Sequence, residues 1–224
     1  MKTVLVTGAT GNLGTAVVNK FLAAGYRVIG TVNKIAPASN PFEAIPLDLN
    51  DEADTEAMVK DIIKKYGAID VLVATAGGFA TGNIYTTKSS DISFQYQLNF
   101  ETAYHVAKPV FSHMMQRGNG RIFLTGARAG VENAGAKDTM AYALSKSLLA
   151  KLATMLNEEA AGKNVVTSLI VPSLIDTSAN RKAMPNADFD AWVKPEAIAD
   201  VIYFYCTDAA DAIRQPVIKV YNKS

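Results

Sequence analysis

Apolar and polar positions fall in alternating blocks along the chain, and the blocks predict strands and helices in turn. Residues 3–6 form a short β-branched and apolar run. A glycine-rich turn follows, and then residues 13–24, where Val17, Phe21 and Ala24 stand at helical spacing. Residues 28–32 and 44–47 read as the second and third strands. Residues 51–66 carry Ala57, Met58, Ile62, Ile63 and Tyr66 on one helical stripe. A fourth strand is predicted at 71–75 and a long helical region at 92–115, with Pro109 expected to kink it. A fifth strand (121–125), a helix (140–159) and a sixth strand (165–171) come next. A helix opened by Pro195 (195–206) and a closing strand (217–221) complete the order.

Short, nearly continuous apolar strands alternating with amphipathic helices predict a mostly parallel sheet covered on both faces. The expected fold class is α/β, a doubly wound Rossmann-like three-layer sandwich, with residues 1–224 as a single domain. Such sheets take ligands at the carboxyl ends of their strands, near the switch in strand order. Residues 172–186, rich in Ser, Asn, Pro and Asp, follow the sixth strand and read as a loop. With its flanks it is expected to form a substrate lid over about residues 173–194.

Composition narrows the classes. Of 224 residues 49% are hydrophobic and 19% charged, enough to bury a core. Lys and Arg number 22 against 21 Asp and Glu, a net charge of +1, so neither nucleic acid nor an anionic membrane is expected as the main partner. The single cysteine, Cys206, excludes an internal disulfide framework and a Cys-based zinc site. No apolar run approaches the roughly 20 residues of a membrane span. Thr7 and Gly8 interrupt the run after Lys2 too early for a secretory signal, so a cytoplasmic location is expected. His105 and His113, eight apart on a helix, have no acidic or Cys neighbours suited to a metal.

Gly8, Gly11 and Gly14 sit between the first strand and the first helix. A helix N-terminus offers free N–H groups and partial positive charge to a pyrophosphate, and glycine lets the backbone approach it. The expected cradle is Gly8, Thr10, Gly11, Asn12, Leu13 and Gly14. The end of the second strand reads Thr31-Val32-Asn33-Lys34, and the first acidic residue of the chain is Glu43. A carboxylate there would hold the ribose 2′-hydroxyl of NAD, whereas Asn33 and Lys34 suit a 2′-phosphate. The expected cofactor is therefore NADP, with NAD possible. Asp48 and Leu49, after the third strand, are candidates beside the adenine, although Asp48 could equally cap the next helix.

Tyr142 and Lys146 stand one helical turn apart on one face. A cation beside a phenol is expected to lower its pKa and make it a proton donor or acceptor near neutrality. Tyr104 and Lys108 repeat the spacing, but inside the long helix ahead of Pro109, and read as structural.

Taken together, the Thr7–Gly14 turn, Asp48, the segment 74–77, Asn99, Tyr142 with Lys146, and Pro172 through Thr177 resemble the short-chain dehydrogenase/reductases over essentially the whole chain. The resemblance implies Tyr142 as general acid or base, Lys146 binding the nicotinamide ribose and tuning the tyrosine, and Asn99 holding a water in a proton relay. It also implies cofactor contacts from Ala76, Gly77, Pro172, Ile175 and Thr177. Three departures stand out: the glycine spacing is G-x-x-G-x-x-G, Ala74-Thr75 replaces an Asn pair, and Ala127 stands where the family places its catalytic serine. Loss of that hydroxyl removes a donor worth about 3 kcal/mol by analogy with oxyanion-hole donors. Within the family the stretches 76–82, 124–129 and 176–189 look most like dihydropteridine reductase, a branch that works without the serine.

The function expected on this footing is hydride transfer from NADPH or NADH to a small conjugated substrate, with Tyr142 as proton donor. A non-catalytic NADP-binding sensor and an ordinary carbonyl reductase are the alternatives. Trp192 is expected to pack the lid onto the body, and Phe79 to line the pocket or to be a buried plug. Pairing of the helices around Asn99 and Tyr142, as in the family, implies a homodimer or homotetramer.

Overall fold

The computed structural model describes residues 1–33 and 41–223. Seven strands form one sheet: β1 (Thr3–Thr7), β2 (Arg27–Val32), β3 (Glu43–Pro46), β4 (Val71–Ala74), β5 (Asn119–Thr125), β6 (Asn164–Pro172) and β7 (Val217–Val220). Their order is β3-β2-β1-β4-β5-β6-β7 and every pairing is parallel. The sheet is thus wholly parallel, and its order reverses between β1 and β4.

Side chains alternate across the strands. Leu5, Leu72, Ile122, Leu124 and Leu169 enter one core layer with α2 (Glu52–Tyr66), α4 (Thr102–Arg117) and α6 (Met140–Glu159). Val4, Val6, Val71, Val73, Phe123 and Ile170 enter the other with α1 (Asn12–Ala23) and α8 (Pro195–Phe204). Burial on both faces explains why these strands read as continuous apolar runs. Smaller helices are α3 (Ser89–Tyr96), α5 (Arg128–Val131) and α7 (Ser178–Ala183).

The expected helix over 92–115 is longer and not uniform. It begins with α3, passes through a π-helical turn at Gln97–Glu101, and runs on as α4 through Pro109. The stretch 172–186 is not all loop: the Thr177 hydroxyl accepts the Asn180 N–H at 3.1 Å and caps α7. Asp51, not Asp48, caps α2, accepting from the Asp54 N–H at 2.9 Å. Asp48 instead accepts from the Asn50 backbone and side-chain N–H groups at 3.0 and 2.9 Å.

Candidate active site

The carboxyl ends of β1 and β4 meet at the reversal of strand order, and the turn after β1 is built to close on β4. Gly8 has φ of +63°, a left-handed conformation costly for other residues. A methyl at Gly14 would lie 2.1 Å from the Gly8 carbonyl oxygen, so only glycine lets α1 start this near the turn. Thr75 Oγ1 donates to the Thr7 carbonyl at 2.6 Å, and the Ala76 N–H donates to Thr7 Oγ1 at 3.2 Å. Thr75, the residue in place of the family's Asn, therefore ties the two strand ends together. Thr10, Gly11 and Asn12 are exposed at the start of α1, and Leu13 and Gly14 are buried beneath them. No side chain caps α1 and no acid occupies its first turn, which leaves this end electropositive.

The end of β2 lies alongside. Val32 is buried and Asn33 is exposed, while Lys34 falls outside the described residues. Glu43 begins β3 opposite Ile29, toward the start of β2, and binds Lys65 at 2.9 Å and the Tyr66 hydroxyl. It is thus engaged away from the carboxyl edge. Asp48 is exposed. Leu49 is buried, and its carbonyl meets His105 Nδ1 at 2.9 Å.

Across the cleft, α6 carries Tyr142 and Lys146. Lys146 is 5% exposed, and its Nζ donates to the Thr125 carbonyl at 2.8 Å. Burial pushes its ammonium down to about 8. Burial also pushes the Tyr142 phenol up to about 12. This corrects the expectation that the lysine lowers the tyrosine. The Nζ turns toward Thr125 and lies 5.9 Å from the phenol ring centroid, so in this state desolvation dominates.

β4 links the two halves. A Cβ at Gly8 would stand 3.1 Å from Ala76 Cα, and one at Gly77 would stand 2.5 Å from Asn99 Oδ1 and 3.4 Å from Lys146 Nζ. The residues after β4 therefore lie close to the glycine turn on one side and to Asn99 and Lys146 on the other. Asn99 is fully buried, on the π-helical turn. Its carboxamide bonds Gly78, Gln95 and Ser145.

Ala127 ends the loop after β5 and is 8% exposed. It brings no hydroxyl to the site. Phe79 is 65% exposed with its ring 5.1 Å from that of Tyr142, which rules out the buried plug and leaves it at the mouth. Pro172 is buried at the end of β6. Ile175 bridges Val193, closing the base of residues 173–194, and its carbonyl accepts from Asn180 Nδ2 at 2.8 Å. The Thr177 hydroxyl is occupied in capping α7. Arg181 pairs with Asp176 at 2.6 Å, and buried Trp192 packs edge-on against Phe189 at 4.8 Å.

The structure separates the second Tyr–Lys pair from this cluster. Tyr104 stacks on Phe100 at 6.0 Å, and Lys108 pairs with Glu52 at 2.8 Å. Among the described residues no group of three or more His, Cys, Asp or Glu could hold a metal, and no helix is long and apolar enough to cross a membrane. Hollows of about 440 and 500 Å³ lie elsewhere, the first beside Ala160, Val165 and Pro216 at the opposite edge of the sheet, the second between α2 and α4. Sequence reasoning missed Gln95, Ser145 and Gly130, and considered Thr125 only as a hydroxyl that could stand in for the serine in a carbonyl reductase, not as the carbonyl that holds Lys146. Gln95 stands four before Asn99 and could have been found by helical spacing. Ser145 adjoins Lys146. Thr125 acts through its backbone, which no side-chain pattern reveals. Gly130 lets α5 lie on Lys146, where a Cβ would come within 2.8 Å of Lys146 Cβ.

A profile of the short chain dehydrogenase family matches residues 2–188. The 3-oxoacyl-[acyl-carrier-protein] reductase FabG of Thermotoga maritima is 26% identical, with 98% of this chain and 96% of that protein covered. The cyclic-di-GMP-binding biofilm dispersal mediator protein of Escherichia coli K12 is 29% identical over 84% of this chain and 78% of its own length. Among solved structures, ElxO with NADP bound superimposes with a TM-score of 0.88 at 23% identity, covering 98% of this chain and 96% of its own, a likeness of fold. With the family profile spanning the glycine turn, the Tyr–Lys helix and most of the segment after β6, the chain belongs to the short-chain dehydrogenase family, the NAD(P)-dependent short-chain oxidoreductases.

Proposed function

We propose that the protein transfers hydride between NADP(H) and a small conjugated substrate, with Tyr142 exchanging the proton. The observation that supports this reading is the nearness of Gly8 to Ala76 and of Gly77 to Asn99 and Lys146, where an added Cβ would come within 3.1 Å of Ala76 Cα and 3.4 Å of Lys146 Nζ. The cradle fits a dinucleotide. Gly8, Thr10, Gly11, Asn12, Leu13 and Gly14 would hold the pyrophosphate at the start of α1. Asn33, with Lys34, would face the ribose 2′-phosphate, and Glu43, the first carboxylate of the chain, is engaged by Lys65 and Tyr66. Asp48 and Leu49 would border the adenine. Ala76, Gly77, Pro172, Ile175 and Thr177 would border the nicotinamide half. The bound cofactor supplies the hydride.

Lys146, deep against Thr125, would hold the ribose and keep a positive charge beside the phenol as a proton moves. Asn99 would keep the β4 loop in register. The exposed ring of Phe79 beside Tyr142, and the missing hydroxyl at Ala127, favour a flat conjugated acceptor over a simple ketone; a dihydropterin is the substrate this reading names. Residues 173–194 would act as the lid. The partly exposed ring ladder Tyr96–Phe100–Tyr104 supports pairing with further copies as a homodimer or homotetramer, in the cytoplasm.

The test is Tyr142→Phe. NADPH oxidation with quinonoid dihydropterin, a small quinone or a 3-oxoacyl thioester should fall at least ~100-fold, as for loss of a general acid, while NADPH still binds. Undiminished turnover would remove Tyr142 from the mechanism. Ala127 together with the 29% identity to the cyclic-di-GMP-binding protein favours one second reading, an NADP-binding sensor. That reading requires NADPH binding with no turnover of any acceptor by the unaltered protein.

A further inference from the structure

The contact between α3, the π-helical turn and α6 encloses a short polar string that includes a residue with no part in the reading above. Asn99 Oδ1 accepts from the Gly78 N–H at 3.0 Å. Its Nδ2 donates toward the Gly78 carbonyl at 3.1 Å, Gln95 Oε1 at 2.9 Å and Ser145 Oγ at 3.2 Å. Ser145 Oγ donates onward to the Tyr142 carbonyl at 2.8 Å. Two amide hydrogens thus face three acceptors, so Nδ2 is fully engaged, while Oδ1 accepts from Gly78 with one of its two lone pairs. Through its two bonds to Gly78, Asn99 holds the backbone beside the site.

The orientation of that amide is not free. Turned by 180°, it would set Nδ2 against the Gly78 N–H, donor against donor. Gln95 Oε1 demands Nδ2 on its side and so opposes the turned form. Gln95 is 2% exposed, and burial of an amide is favourable only when it is bonded. The consequence reaches the chemistry within one residue: a Cβ at Gly77 would stand 2.5 Å from Asn99 Oδ1 and 3.4 Å from Lys146 Nζ.

We propose that Gln95 is a positioning residue, whose buried side-chain oxygen fixes the Asn99 carboxamide and thereby registers the loop after β4 against Lys146 and Tyr142. Its effect on turnover rests on the proposed oxidoreductase chemistry; its effect on the loop does not.

Two variants test it. Gln95→Met keeps length and volume and removes the acceptor, whereas Gln95→Glu keeps an oxygen at the same place. In Gln95→Met, hydrogen exchange at the Gly78 amide should accelerate by about tenfold, the worth of one buried hydrogen bond, with the β5 amides unchanged. The kcat for NADPH oxidation with a small quinone should fall by about tenfold while the KM for NADPH stays within about twofold, a split that general destabilisation would not give. Gln95→Glu should recover most of both. The proposal is overturned if Gln95→Met leaves Gly78 exchange unchanged, or speeds it with no loss of kcat. An unaltered protein inert with every acceptor would refute the proposed function alone, and Gly78 exchange would still decide whether Gln95 fixes the loop.

Discussion

Replacing Lys146 by methionine should make the protein more stable while abolishing its turnover. The ammonium is buried, it donates to the Thr125 carbonyl, and desolvation depresses its pKa from the usual 10.5 to about 8. At about 1.4 kcal/mol per unit, that depression means the folded state carries a cost of about 3 kcal/mol for holding the charge. The folded lysine releases its proton near pH 8 and the unfolded one near 10.5. Below pH 8 both states are charged and the whole cost is present. Between those values the unfolded chain binds more protons, so stability rises with pH.

Methionine fills similar volume without charge but leaves the Thr125 carbonyl unbonded, which returns about 1 kcal/mol. The variant should therefore exceed the unaltered protein by about 2 kcal/mol at pH 7, and the gap should narrow to about 1 kcal/mol at pH 9. Urea unfolding at the two pH values reads both. Cys206, raised by burial to about 12, erodes the stability of both proteins as its unfolded thiol ionises, and this cancels in the difference. A Lys146→Met protein less stable at pH 7, or a gap that does not narrow, would refute the assignment of burial as the dominant force on Lys146.

Cofactor choice is read by thermal shift at matched concentrations: NADP should raise Tm more than NAD, and Asn33→Asp should reverse the order by setting a carboxylate against the 2′-phosphate. A larger shift with NAD in the unaltered protein would overturn that choice. Ala127→Ser, at a site 8% exposed beside the end of β5, should raise kcat for a simple ketone by at least ~10-fold, part of the ~3 kcal/mol such a donor provides. No gain would mean that position 127 does not face the substrate oxygen.

The architecture was legible because both faces of the sheet are buried. Nearly continuous apolar runs at 3–6, 71–75 and 165–171 mark strands buried on both faces, and the expected helix 140–159 coincides with Met140–Glu159. The long helix was harder. Nothing in Gln97-Leu98-Asn99-Phe100-Glu101 announces the π-helical turn on which Asn99 meets Gly78, Gln95 and Ser145. The helix α7 was hidden by composition: Ser, Asn and Asp spell loop until Thr177 is seen capping it. The direction of the Tyr142 pKa was misread because spacing gives proximity to Lys146 but not the depth of burial, and here depth decides.

A common cause underlies what sequence could not supply at the site. The partners that hold Lys146, Asn99 and Ser145 in place include the backbone groups of Thr125, Gly78 and Tyr142. A side-chain motif names the groups that act, yet the backbone that aims them is common to every residue type. Two of the contacts to Asn99 are written in side chains, those from Gln95, four residues before it, and from Ser145. An apolar residue would fill the buried position of Gln95 without the cost of enclosing an amide. The glutamine oxygen there is met by the Asn99 amide, and the chain of contacts ends at Gly77, where an added Cβ would crowd both the Asn99 amide and the Lys146 ammonium.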